Sequence, residues 1–233
     1  MRIAIMQPYL FPYLGYFQLI NAVDTFVFYD DVNFIKRGWI NRNQILVDNK
    51  AALFTVPLKK ISQNKLINEI EIAIDEKWIS QFFTTLEQNY KNAPYFEETF
   101  LILKNVFGKK QTKISSLAIE STLQVSNYLQ LKTQFEISSI KYSSSMGKEK
   151  AERLIDICKE KEVKHYINPS GGKELYQKDT FIKEGITLSF MDNNLLPYTQ
   201  FGNQFIKGLS MIDVLMFNSV EETNKLLSNY KLT

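Results

Sequence analysis

Hydrophobic and polar positions along the chain fall into three regimes. At the start, Ile3 to Met6 form a continuous apolar run that Gln7 and Pro8 end, which is the pattern of a short strand, Arg2–Met6, covered on both faces. Leu14, Phe17, Leu19, Ile20 and Val23 then recur at helical spacing, and β-branched and aromatic residues return from Thr25 to Tyr29. Strand, loop, helix (Leu14–Val23) and strand make one βαβ unit, for which a right-handed crossover is the default. Ile40–Val47 and Ala51–Pro57 read as a strand pair turned by Asp48-Asn49-Lys50, and Lys59–Asn68 as loop. Ile70, Ile72 and Ile74 alternate with acids as an edge strand does.

The middle regime is helical. Periodicity predicts helices over Lys77–Asn89, Tyr95–Phe107 and Ile114–Leu129, separated by Pro94 and by the Gly108-Lys109-Lys110 turn, a subregion of about residues 77–130. Alternation then returns: strand Glu136–Tyr142, helix Lys148–Lys161, strand Lys164–Ile167, helix Lys173–Lys183, strand Thr187–Phe190. A core helix within Leu209–Phe217 and a polar helical tail from Val220 complete the pattern. The fold class is therefore α/β, a mostly parallel sheet with Rossmann-like βαβ units and a helical middle segment. No repeat, linker or composition break divides it, so residues 1–233 are expected to form a single domain.

Composition narrows the function classes more than it selects one. With 45% hydrophobic residues among 233, the chain holds ample core; its net charge of +3, from 28 basic and 25 acidic residues, is too mild to mark a nucleic-acid binder. One cysteine and one histidine, Cys158 and His165, exclude an intramolecular disulfide and any multi-cysteine or multi-histidine metal centre. No signal-like start and no apolar run near the ~20 residues of a membrane span point to a cytoplasmic protein.

Candidate chemistry gathers where strands end, since ligands of such sheets collect at the carboxyl ends of the strands. Gln7-Pro8-Tyr9, with Pro12, Gly15 and Tyr16, follows the first strand: either a binding loop with amide and phenol groups facing a ligand near a helix N-terminus, or an aromatic plug on the core. Asp30 and Asp31 follow the next strand, ahead of the basic, amide-rich segment Lys36, Trp39, Asn41, Arg42 and Asn43. Those acids are candidate bases or ligand contacts, and the basic groups candidate grips on a diphosphate; an acidic turn paired with nearby bases is the plain alternative. His165 is a candidate base or a structural strand histidine. Ser170, Gly171 and Gly172 form either an oxyanion cradle of backbone amides or a tight turn. Ser143 to Lys148 has phosphate-loop residues without the glycine spacing, Cys158 sits in an amphipathic helix, and Asp213 interrupts an apolar run.

Several of these blocks together resemble the WbqC-like family of bacterial proteins: Met6-Gln7-Pro8-Tyr9, Pro12 to Tyr16, Asp24 with Phe26 to Asp31, Trp39 to Asn43, Glu152-Arg153-Leu154 to Ile167, Gly171-Gly172 with Tyr176 and Phe181, and Leu209-Ser210 to Asp213. The resemblance spans essentially the whole chain. It implies a setting in O-antigen, lipopolysaccharide or other surface polysaccharide synthesis and brings no catalytic residue set with it. The leading expectation is a transferase that places an acyl or aminoacyl group on the amine of a nucleotide-linked deoxyamino sugar. Arg42, Lys36 and the Gln7 loop would hold the diphosphate or donor, Tyr9, Tyr16 and Trp39 the base or sugar, and Asp30, Asp31 or His165 would take the amine proton. The partner is thus a small nucleotide sugar, with the acyl or aminoacyl donor unidentified and a transfer-RNA donor left open. No metal site and no cofactor are identified. A nucleotide-dependent adenylyl or nucleotidyl transferase and a non-enzymatic sugar-nucleotide binding protein are the rival readings.

Overall fold

The computed structural model describes residues 1–148, 150–202 and 204–233. In chain order it contains β1 (Arg2–Met6), α1 (Leu14–Asn21), β2 (Thr25–Phe28), β3 (Arg42–Val47), β4 (Lys50–Thr55), β5 (Leu58–Lys59), β6 (Glu71–Ile72), α2 (Glu76–Tyr90), α3 (Phe96–Gly108) and α4 (Ile114–Tyr128). The second half adds β7 (Gln134–Ile137), α5 (Ser138–Lys141), α6 (Lys150–Glu160), β8 (His165–Pro169), α7 (Lys178–Ile182), β9 (Thr187–Asn193), α8 (Met211–Phe217), α9 (Val220–Leu227) and β10 (Tyr230–Leu232). No described helix is long and apolar enough to cross a membrane.

Six strands form one sheet in the order β10-β9-β8-β1-β2-β7. All neighbours pair in parallel except β10, which runs antiparallel to β9. The chain leaves β1 through β2 to β7, then returns to the other side of β1 for β8 and β9. That reversal puts a topological switch point between β1 and β8, where the crossovers diverge and leave a crevice at the strands' carboxyl ends.

The apolar runs of β1 and β2 follow from burial on both faces. Side chains alternate across a strand, and here Ala4, Phe26 and Phe28 enter a large core with α1 and the helices α2 to α4, while Ile3, Ile5 and Val27 enter a second core with Leu154, Ile157, Tyr166 and Phe181. The hairpin β3–β4 packs with the first core through Ile45 and Leu46.

Five elements differ from the pattern-based expectation. The strand expected over Glu136–Tyr142 stops at Ile137 because the chain turns into α5 at Ser138, whose hydroxyl is drawn into a buried polar cluster with Asp30 and Asp31. The helix expected over Lys173–Lys183 is confined to Lys178–Ile182, after a 3-10 turn at Ser170–Gly172. β9 runs three residues past Phe190, to Asn193, and the unpredicted β10 pairs with that extension. The helix expected from Lys148 is α6; Glu149 lies outside the described residues.

Candidate functional site

The loop after β1 is fixed from several sides. Asn43 of β3 donates through its side-chain amide to the carbonyls of Leu10 (3.0 Å) and Phe11 (2.7 Å). Ser210, ahead of α8, donates to the Phe11 carbonyl at 2.7 Å, and the Phe11 amide donates to Ser121 of α4 at 2.9 Å. Phe11 takes a φ of 41°, a left-handed conformation uncommon for a residue with a side chain and held only where the surroundings over-determine it. So supported, Tyr9 and Tyr16 bring their rings to 5.5 Å, and the Tyr16 hydroxyl donates to the Gln7 carbonyl at 2.9 Å. Burial raises the pKa values of Tyr9, Tyr13 and Tyr16, so these phenols stay protonated at neutral pH.

At the end of β2 the two acids have different partners. The Asp30 carboxylate accepts from the amide (3.1 Å) and hydroxyl (2.8 Å) of Ser139, and so caps the start of α5. Asp31 accepts from the Ser138 hydroxyl and from the Arg153 guanidinium in a buried ion pair. Arg153 comes from the first turns of α6 and lies 4.9 Å over the Tyr29 ring. Its Nε is buried and has no hydrogen-bond partner among the described residues.

Beyond the switch point, the end of β8 supplies Asn168, whose side-chain amide donates to the Tyr166 hydroxyl. The Ser170–Gly172 turn packs so closely that a methyl group on Gly172 would overlap the Asn168 carbonyl oxygen. At the end of β9, Asn193 donates to the Tyr13 hydroxyl at 2.8 Å across the start of α1, where Gly15 has no side chain to obstruct the pair. The Asn193 Oδ1 is buried without a partner among the described residues.

These pieces enclose a cleft of about 1130 Å³, lined by Gln7, Tyr9, Tyr16, Asp31, Trp39, Asn43, Ser170, Gly171 and Gly172 among the residues singled out from sequence. Tyr13, Tyr29, Lys148, Lys150, Arg153, Asn168, Tyr176 and Asn193 also line it. Among the described residues the lining presents three cations and one carboxylate; Asp31 is paired with Arg153, and Lys148 is paired with Asp156 (2.6 Å) and Glu152 (3.3 Å) of α6, which leaves Lys150 as the cation without an ion pair among the described residues.

Five other candidates do not line the cleft. Asp30 lies behind it as the cap of α5, and Lys36 is exposed outside it. Asn41 is buried and donates to the Val56 carbonyl at 2.9 Å. Arg42 folds onto its own loop, donating to the carbonyls of Gly38 and Arg37, with its guanidinium 5.8 Å from the Trp39 ring centroid. His165 is the first residue of β8, paired with Arg2 and Thr187, which places it at the amino end of the sheet. Desolvation, then the nearby Arg2 and amino terminus, lower its pKa, so it is neutral at pH 7.

Arg153, Asn193 and Tyr29 were not legible as site residues. Arg153 did leave one signal: a charge in register with Ile157, four residues on, in the buried stripe of an amphipathic helix. Among the described residues, no three His, Cys, Asp or Glu side chains form a group able to hold a metal ion.

The strand order and its crevice define a doubly wound α/β protein with a large cleft at the switch point. The chain belongs to the WbqC-like protein family, which matches residues 7–225. It is 30% identical over 220 residues to the uncharacterized protein Rv1507c of Mycobacterium tuberculosis, with 93% of each chain covered. No solved structure matches it.

Proposed function

We propose that the protein acts in surface polysaccharide synthesis, transferring an acyl or aminoacyl group to the amine of a nucleotide-linked deoxyamino sugar bound in the switch-point cleft. The observation that carries this reading is the lining, which combines the aromatic residues Tyr9, Tyr16 and Trp39 with the cations Lys148, Lys150 and Arg153, of which Lys148 also pairs with Glu152 and Asp156 and Arg153 with Asp31. Flat aromatic surfaces suit a nucleobase or a sugar face, and cations suit a diphosphate. Membership of the WbqC-like family supports the polysaccharide setting. In this scheme Arg153, Lys148 and Lys150 take the diphosphate role that sequence spacing assigned to Arg42 and Lys36.

For the transfer, the amine nitrogen attacks the donor carbonyl, the carbonyl's bond to its leaving group breaks, and the amine proton departs with that group. Asp31 is the one carboxylate among the described lining residues, but its side chain is fully enclosed and bonded to Arg153. Its part is to orient Arg153 rather than to take the proton directly.

The test is to incubate the protein with amino-sugar nucleotides and acyl, aminoacyl and nucleotide donors and to read mass shifts. A product heavier by one acyl or aminoacyl group is expected, and Trp39→Ala should weaken sugar-nucleotide binding. Tight binding with no product under any donor would instead support a binding protein, a reading favoured by the engagement of both Asp30 and Asp31 in protein contacts. Pyrophosphate release from a nucleoside triphosphate would favour the nucleotidyl-transfer alternative.

A further inference from the structure

Two residues that line this cleft each carry a buried polar atom without a partner among the described residues, of opposite character: the Arg153 Nε, a donor, and the Asn193 Oδ1, an acceptor. Buried polar groups are nearly always paired, with protein, water or a ligand, so an orphan on a residue that lines a cleft is a candidate contact for what the cleft holds. The two stand apart along the sheet. Arg153 contacts Tyr29 and Asp31, beyond β2, whereas Asn193 ends β9, with β8 and β1 between them. Three strand spacings separate the β9 and β2 ends, roughly 14 Å.

The surroundings of each atom match its polarity. Arg153 belongs to the N-terminal turns of α6, an 11-residue helix whose entry, Gly147, Lys148 and Lys150, lines the same cleft. The first amides of a helix lack intrahelical partners and the helix dipole is positive there, so this end favours an anion, which would compete with Glu152 (3.3 Å) and Asp156 (2.6 Å) for Lys148. Asn193 is fixed by its bond to Tyr13, which holds Oδ1 as a bare acceptor suited to a hydroxyl or an amine.

We infer that the cleft binds its ligand in one orientation, with a phosphate or diphosphate at the entry of α6 on Arg153, Lys148 and Lys150, and a sugar hydroxyl or amine on Asn193. This rests on the reading that the ligand is a phosphorylated amino sugar, and it assigns the two ends of that ligand. It also makes the Ser143–Lys148 segment the approach to an anion site, although it lacks P-loop glycine spacing.

The experiment uses two probes, inorganic pyrophosphate and glucosamine 1-phosphate, titrated into the intact protein and three variants whose melting is checked by circular dichroism. The double variant Lys148→Ala/Lys150→Ala should lose about tenfold or more for both probes. Asn193→Leu should weaken glucosamine 1-phosphate by about tenfold while leaving pyrophosphate within about twofold, and Asn193→Asp, which keeps acceptor oxygens, should restore binding. Failure of pyrophosphate to bind, unchanged binding in the lysine variant, or equal loss of both probes in Asn193→Leu would overturn the orientation. If both ends behave as stated while no nucleotide-linked amino sugar is modified, the orientation stands and the transferase reading falls.

Discussion

Asp31 and Arg153 form an ion pair whose side chains are 0% and 2% exposed, joining the end of β2 to the first turns of α6 at the wall of the cleft. Removing one partner of such a pair strands a buried charge, which typically costs about 3–5 kcal/mol. Arg153→Met should therefore lose that much stability in urea unfolding. The double variant Asp31→Asn/Arg153→Met should recover part of the loss, and strict additivity would show that the two residues are not coupled.

Asp213 supplies a pH-dependent contribution. Its carboxylate accepts from Tyr90 (2.8 Å), Tyr198 (2.6 Å) and Gln200 (2.7 Å), and burial raises its pKa in spite of these bonds. A folded-state pKa above the unfolded value means that the folded chain binds the proton more tightly. Stability from this group is then greatest below the unfolded pKa and declines as pH rises through the folded one. Asp213→Asn should abolish that decline above pH 4. It should also cost about 1–3 kcal/mol, since the new amide nitrogen meets the Gln200 donor. Urea unfolding of both proteins at several pH values measures both effects.

His165 lies at the amino end of β8, with its Nε2 2.9 Å from the Ser189 hydroxyl. His165→Gln should leave ligand affinity and any pH–rate profile unchanged. Loss of an ionisation from that profile would return His165 to the site.

Adjacent glycines should respond differently. A methyl group on Gly172 would overlap the Asn168 oxygen and lie 2.9 Å from its Cγ, whereas one on Gly171 would meet nothing within 4 Å. Gly172→Ala should cost about 1–3 kcal/mol in urea unfolding, as overpacking does, and Gly171→Ala within about 0.5 kcal/mol.

Elements governed by local periodicity were legible in the sequence: the opening βαβ unit, the hairpin and the three middle helices follow from side chains that choose a face. Elements decided by distant partners were not. Glu136 to Tyr142 reads as a strand from its apolar and aromatic residues, but Ser138 leaves the ladder to meet Asp30 and Asp31, more than a hundred residues away in sequence. β10 is a short mixed segment with little pattern of its own, paired through β9. The cleft divides in the same way. Tyr9, Tyr16 and the glycine turn could be found because they follow strands. The same logic points to Arg42 as the diphosphate grip, yet it satisfies carbonyls of its own loop, while Arg153 reaches the cleft from a helix.

Phe11 has a wider consequence. Its left-handed backbone is secured by groups from β3, α4 and the residue ahead of α8, so the loop that carries Tyr9 takes its shape when the chain folds. An arriving ligand gives up its own freedom but need not order that loop, which removes one of the usual costs of association. That wall of the cleft has its shape set in advance, so association of a ligand there would be limited by diffusion and orientation rather than by closure of this loop.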